Sequence, residues 1–181
     1  MNMVIRGAII TLGAFYLYVA YLMTHPNVSA AFREYYILRS TDLTVAERRK
    51  LPPLQPGRDY DHKHAALGFD KWTAPEETFR WNDGKSARII FKLEPGAVAQ
   101  APGRLVFNLM PHGTQRTRWR LNGADLGERQ VAGDTQVVFP LKPGSLREGE
   151  NVVEIDMPDA RRPNDSDGRL LGLGFKSLRL E

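Results

Sequence analysis

The stretch TRWRLNG, Thr117–Gly123, decides how the rest of the chain is read. Trp119 lies between Arg118 and Arg120, so strand alternation sends the indole to one face and both guanidiniums to the other. Asn122-Gly123 then supplies the residue pair that tolerates two successive positive φ angles, the requirement of a tight β-hairpin. This is a half-buried strand entering a hairpin, with Trp119 expected in a core.

Similar short runs recur on both sides. They are ARIIFKL (87–93), RLVFNLM (104–110), QVVFPL (136–141), NVVEIDM (151–157) and LGLGFKSLRL (171–180). Leu105, Phe107 and Leu109 share a face, as do Val153, Ile155 and Met157. Glu94-Pro95-Gly96 and Lys142-Pro143-Gly144 punctuate the series. Regular short strands with turn residues between them predict an all-β sandwich. In the last run the apolar positions change from odd to even after Phe175, which predicts a bulge near Lys176-Ser177.

The N-terminal part differs. Gly7 to Thr24 reads GAIITLGAFYLYVAYLMT without a charge. A helix of that length spans about 27 Å, close to the roughly 30 Å hydrocarbon core of a bilayer. Arg6 stands at one end, tyrosines crowd the other half, and Pro26 stops the helix. A single-pass anchor is expected, and a cleaved signal peptide is its rival. The positive N-terminal flank predicts a cytoplasmic N-terminus, with the residues from about 25 onward outside. Gly7, Ala8, Gly13 and Ala14 are small enough to let a partner helix approach.

Between anchor and sandwich, residues 27–50 predict two short membrane-proximal helices, one capped by Ser29 and carrying Phe32, Tyr35, Tyr36 and Leu38, the other opened by a Thr44–Glu47 capping box. Residues 51–64, with Pro52, Pro53 and Pro56, read as an extended linker. The expected organisation is an anchor over 1–26, a stalk and linker over 27–67, and a sandwich over 68–181.

Cysteine is absent, which excludes disulfides, thiolate metal sites and cysteine nucleophiles. The net charge of +4 is dispersed, and no nucleic-acid motif accompanies it.

FRWNDGKSARIIF, WRLNGADLGE and the closing LREGENVVEIDMPDARRPNDSDGRLLGLGFKSLRL together resemble a jelly-roll domain of the galactose-binding-like type. They are similar to the β-sandwich modules appended to bacterial membrane glycan and glycerol-phosphate transferases. Trp81, Asp83 and Gly84, then Leu121 to Gly123, then Asp167, Arg169, Leu171 and Gly172 carry the resemblance, which covers about residues 68–181. It implies a sandwich that binds or covers something, in the periplasm of a bacterium, on a chain anchored in the inner membrane. The chain departs from those proteins in having one helix and a short stalk where they carry a catalytic or multi-pass part.

Candidate chemistry is sparse. Aligning Gly168 with the sixth position of an EF-hand loop puts Asp165 and Asp167 at ligand positions, but Pro163 and Gly174 fall where carboxylates are needed. A hydrogen-bonded turn, a looser calcium site and a ligand contact remain open there. Asp59, Asp61, His62 and His64 form a second polar group, read as solvated linker rather than metal site. No G-x-S-x-G, H-E-x-x-H or P-loop pattern occurs, and no cofactor or catalytic residue is expected.

Two functions follow. One is a non-catalytic accessory subunit whose helix docks into an integral membrane protein complex and whose sandwich covers the extracytoplasmic face. The other is a membrane-anchored glycan-binding module. Its expected ligand residues are Trp72, Trp81, Asp165, Asp167 and Arg169, with Trp72 the most accessible of the three tryptophans.

Overall fold

The computed structural model describes residues 3–24, 42–98 and 103–181. The chain divides into two compact units, Met1–Arg39 and Ser40–Glu181.

In the first unit, helix α1 (Met3–Thr24) is apolar and long enough to cross a membrane. That composition suits a membrane span or a signal sequence alike. Leu17 and Met23 are 74% and 79% exposed, and among the described residues the helix buries no large side chain. The hydroxyls of Thr11 and Thr24 donate to the carbonyls of Gly7 and Tyr21, which removes their need for water. The stalk helix expected around Ser29, Phe32, Tyr35, Tyr36 and Leu38 falls outside the described residues, as does the side chain of Ala8.

The second unit begins with helix α2 (Val45–Lys50), opened by the reciprocal Thr44–Glu47 capping box. The strands follow in chain order: β1 (Pro53–Leu54), β2 (Asp59–Asp61), β3 (Gly68–Asp70), β4 (Arg80–Trp81), β5 (Ser86–Leu93), β6 (Arg104–Pro111), β7 (Gln115–Leu121), β8 (Ala124–Val131), β9 (Thr135–Pro140), β10 (Gly149–Asp156) and β11 (Leu173–Leu180). One sheet runs β1-β5-β10-β7-β8 with β3 also on β5. The other runs β2-β11-β6-β9 with β4 also on β11. Among the described residues, only the β1–β5 pairing is parallel.

The inward faces interdigitate as a β-sandwich. Phe91, Phe107, Trp119, Phe139, Ile155 and Phe175 are fully buried between the sheets. Trp119 packs 4.8 Å from Phe107 and 5.1 Å from Phe139, centroid to centroid, and its indole N–H donates to Thr117 Oγ1 at 2.7 Å. The expected hairpin is present: Asn122 and Gly123 have φ of +53° and +82°. Asn122 does more than turn the chain, because its side chain also bonds Ser145, Asn151 and Val152. The expected irregularity in β11 lies between Phe175 and Ser177.

The linker expectation for 51–64 is corrected. Those residues enter the sheets as β1 and β2, with Leu54 and Tyr60 buried and Gly57 N–H donating to Leu180 O. Single apolar residues among prolines and acids carry no periodic signal; the edges of β5 and β11 supply their burial. Upstream, Leu43 and Leu51 pack over Gly68, where an added Cβ would come within 2.5 Å of Leu43 Cδ1. This strap covers Ile90, which points away from the main core yet is fully buried. Asp70 pins it: its Oδ1 accepts the Leu43 N–H at 2.7 Å and its Oδ2 accepts Arg48 Nη2 at 2.5 Å.

Candidate functional site

Strand β4 has two residues, and alternation sends them to opposite sides of its sheet. Trp81 pairs with Gly174 on β11 and is partly exposed. The missing side chain at Gly174 leaves room for Met110, whose Cγ would lie 2.7 Å from an added Cβ, while Trp81 Cζ3 sits at contact distance, 3.4 Å. Phe79 and His112 meet the indole edge to face at centroid distances of 5.2 and 6.2 Å. The three rings form an aromatic patch on the outside of the sandwich.

The next residue locks that patch in place. Asn82 is fully buried. Its Oδ1 accepts the backbone N–H groups of Gly172 and Leu173, both at 2.7 Å, and its Nδ2 donates to the carbonyls of Gly84 and Leu170. Asp83 Oδ1 accepts the Leu170 N–H at 3.1 Å. The loop that follows Trp81 is therefore joined to the backbone that follows the Asp167–Arg169 turn.

Within that turn, Asn164 Oδ1 accepts from Ser166 N, Ser166 Oγ and Asp167 N. Asp167 accepts the Arg169 N–H and grips the guanidinium through both oxygens, the shortest contact being 2.6 Å from Nη2 to Oδ2. These bonds hold the Asp167 carboxyl down to about 2. The Arg169 guanidinium is pushed up, mainly by Asp167, with Glu76 and Asp83 adding to it. Asp165 is exposed beside them. Trp81, Asp167 and Arg169 thus belong to one hydrogen-bonded region: an aromatic patch beside a rigid charged turn.

Trp72 does not belong to it, which corrects the expectation of an accessible ring. It is only 2% exposed, packs on Phe69 and Phe175, and donates its indole N–H to Arg88 O at 2.9 Å. Lys71, with φ of +60°, precedes it at the point where the chain leaves β3. The polar group in the former linker is likewise dispersed. Asp59 pairs Arg179, Asp61 accepts the Lys63 N–H, His62 Nε2 lies 3.1 Å from Glu76 O, and His64 Nδ1 accepts the Ala66 N–H. Among the described residues, no three His, Asp or Glu side chains are placed to hold a metal ion. Phe79, Asn82 and His112 were not singled out by sequence; only the position of Asn82 between Trp81 and the Asp83-Gly84 turn hinted at a role.

The turn makes a pH prediction. An acid whose folded pKa is about 2, against about 3.9 when unfolded, stabilises the fold fully above the higher value and loses that contribution as pH falls through the lower one. Asp159, gripped by Arg116 and also held to about 2, acts over the same window. Asp167→Ala is expected to lower the melting temperature at pH 7, with the gap closing between pH 4 and pH 2 in scanning calorimetry. A gap independent of pH contradicts this role.

No protein-family model matches the sequence, and no curated protein matches it. Among solved structures, the chain is similar to the salicylyl-acyltransferase SsfX3 from a tetracycline biosynthetic pathway, at 12% identity and a TM-score of 0.45, over 68% of this chain and 39% of that one. It is similar to the carbohydrate-binding module CBM36 in complex with calcium and xylotriose, at 12% identity and a TM-score of 0.41, over 68% of this chain and 99% of the module. The acetyl xylan esterase Est2A from the rumen bacterium Butyrivibrio proteoclasticus aligns at 10% identity and a TM-score of 0.44, over 70% of this chain and 32% of the esterase. The chain thus spans well under half of the two enzymes. Likeness at this level assigns no ligand.

Proposed function

We propose that this chain is a non-catalytic, membrane-anchored jelly-roll module that binds carbohydrate at the Trp81 patch. The observation that carries this reading is the partly exposed Trp81, braced by Phe79 and His112 and fixed through Asn82 to the turn bearing Asp167 and Arg169. A sugar offers an apolar C–H face and a rim of hydroxyls. An indole suits the first, and charged groups already held in place suit the second at little ordering cost. The apolar α1 supports the anchor, and the passage of successive strands between the two sheets supports the jelly-roll course. Trp81→Ala in the full chain is expected to weaken binding on a glycan array at least tenfold, about 1.4 kcal/mol, without lowering the melting temperature by more than a few degrees. Unchanged glycan binding in that variant excludes the patch as the site.

One observation favours a second reading, docking into an integral membrane complex. Gly7 and Gly13 have nothing within 4 Å of a built Cβ, and Ile5, Ile10, Leu12 and Phe15 near them on α1 are exposed. A partner helix packed along Gly7, Ala8, Gly13 and Ala14 would cover that surface. Purification in mild detergent tests it: a co-eluting integral membrane protein supports docking, and elution of the chain alone contradicts it.

A further inference from the structure

Arg80 is the other half of β4, and it points to the opposite side from Trp81. Its guanidinium carbon lies 4.2 Å above the ring centroid of Phe69. Its Nε is buried without a hydrogen-bond partner, and among the described residues no carboxylate pairs with it. Burial holds the guanidinium below its usual pKa. An arginine half withdrawn from water with no counter-charge carries a desolvation cost that a bound anion would offset. Most other partly buried arginines of this domain have an acid: Arg48 has Asp70, Arg120 has Glu154 and Asp156, Arg169 has Asp167, and Arg179 has Asp59 and Glu181. Arg129 lies over Phe139 without one, but its guanidinium donates to the Glu128 carbonyl, a bond that Arg80 lacks.

Arg80 opens onto a hollow of about 360 Å³ at the edge of the sandwich, large enough for a monosaccharide-sized molecule. Lys63, His64, Thr73, Phe69 and Trp72 line it with Arg80, and among the described residues no acidic one does. His64 Nδ1 accepts the Ala66 N–H, so the neutral ring carries its proton on Nε2 and is a donor there. Trp72 spends its N–H on Arg88 O and offers only carbon. The walls therefore combine donors and positive charge with apolar carbon from Leu43, Ala65 and Ala74. We propose that this hollow is a second ligand site, which takes an organic carboxylate carried on a compact ring, such as an acidic sugar. The carboxylate supplies the acceptors that Arg80 lacks, with Lys63 and His64 beside it, and the ring lies against the apolar wall. The site is separate from the Trp81 patch and does not depend on it.

The test is calorimetric titration of the full chain with galacturonate, galactose and inorganic phosphate. Galacturonate is expected to bind, with galactose and phosphate at least tenfold weaker; equal binding of galactose, or tighter binding of phosphate, overturns the assignment. Arg80→Met keeps the stem over Phe69 but removes the charge. It is expected to weaken galacturonate ten- to a hundredfold, the value of a charge-assisted hydrogen bond, and to raise the melting temperature of the unliganded chain. Unchanged binding in Arg80→Met contradicts the proposal, and so does a lowered melting temperature, which would make Arg80 a packing residue. Should that variant not fold, Lys63→Gln, altered at an exposed side chain, is expected to bind galacturonate about threefold more weakly; no change contradicts the site. Trp81→Ala is expected to leave galacturonate binding intact, and its loss there would place the acid at the Trp81 patch instead.

Discussion

Asp70→Ala is expected to destabilise the folded chain by about 3 kcal/mol, the cost of removing one partner from a buried pair. Asp70 is 1% exposed and is the acceptor for both the Leu43 N–H and the Arg48 guanidinium. Its removal orphans a backbone donor and leaves a mostly covered charge without a partner. The pair is not in itself a large source of stability. Burial pushes the Asp70 carboxyl up, and the Leu43 N–H and Arg48 oppose that shift. The cost arises from breaking the set. Replacing both members, Asp70→Leu with Arg48→Met, is therefore expected to recover part of the loss, the share due to the unpaired charge, while the Leu43 N–H stays without its acceptor. Denaturant titration in detergent measures both variants, and hydrogen exchange at the Leu43 amide shows whether the strap over Ile90 has lifted. An alanine variant as stable as the parent contradicts the role given to Asp70.

Asn82→Ala is expected to cost about 3 kcal/mol as well, since two buried N–H groups lose their acceptor at roughly 1–3 kcal/mol each. The amides of Gly172 and Leu173 should exchange faster, and the loop holding Trp81 should loosen from the Asp167–Arg169 turn. Glycan binding is then expected to fall even though no ligand-facing group has changed. Asn82→Asp keeps the acceptor for both amides while losing the donor to Gly84 and Leu170, so its stability should lie between the two. Equal loss in the alanine and aspartate variants contradicts the weight placed on Oδ1.

Much of the sandwich was legible because its inner strands carry a local pattern. Leu105, Phe107 and Leu109 alternate, Asn122-Gly123 can only turn tightly, and the parity change after Phe175 marks the break in β11. Edge elements lack such a pattern. Strand β8 buries only Val131 fully, and β1 and β2 bury one residue each, so nothing in their sequence distinguishes them from linker. The site was legible in part. Trp81 and the Asp167–Arg169 turn announced themselves as an aromatic before a turn and as an acid two residues from a base. Asp70, Asn82 and Arg80 did not, because their meaning depends on partners or vacancies set by the tertiary fold: Arg48 is 22 residues from Asp70, and Gly172 is 90 from Asn82. Trp72 was misread because an indole at the end of a short strand looks the same in sequence whether it faces water or the core.

The burial of two of the three tryptophans makes one measurement specific for the central claim. Trp119 and Trp72 are 0% and 2% exposed, the latter at the Arg80 hollow, so a neutral ligand on the outer face reports through Trp81, and the Arg80→Met variant separates it from any ligand in the hollow. Intrinsic fluorescence of the full chain, titrated with neutral oligosaccharides from bacterial envelope and plant cell-wall polysaccharides, reads that ring directly. The account predicts a saturable blue shift with at least one oligosaccharide class, absent from Trp81→Ala and retained in Arg80→Met. A saturable shift that survives in Trp81→Ala, or no shift with any oligosaccharide, would contradict carbohydrate binding at this patch.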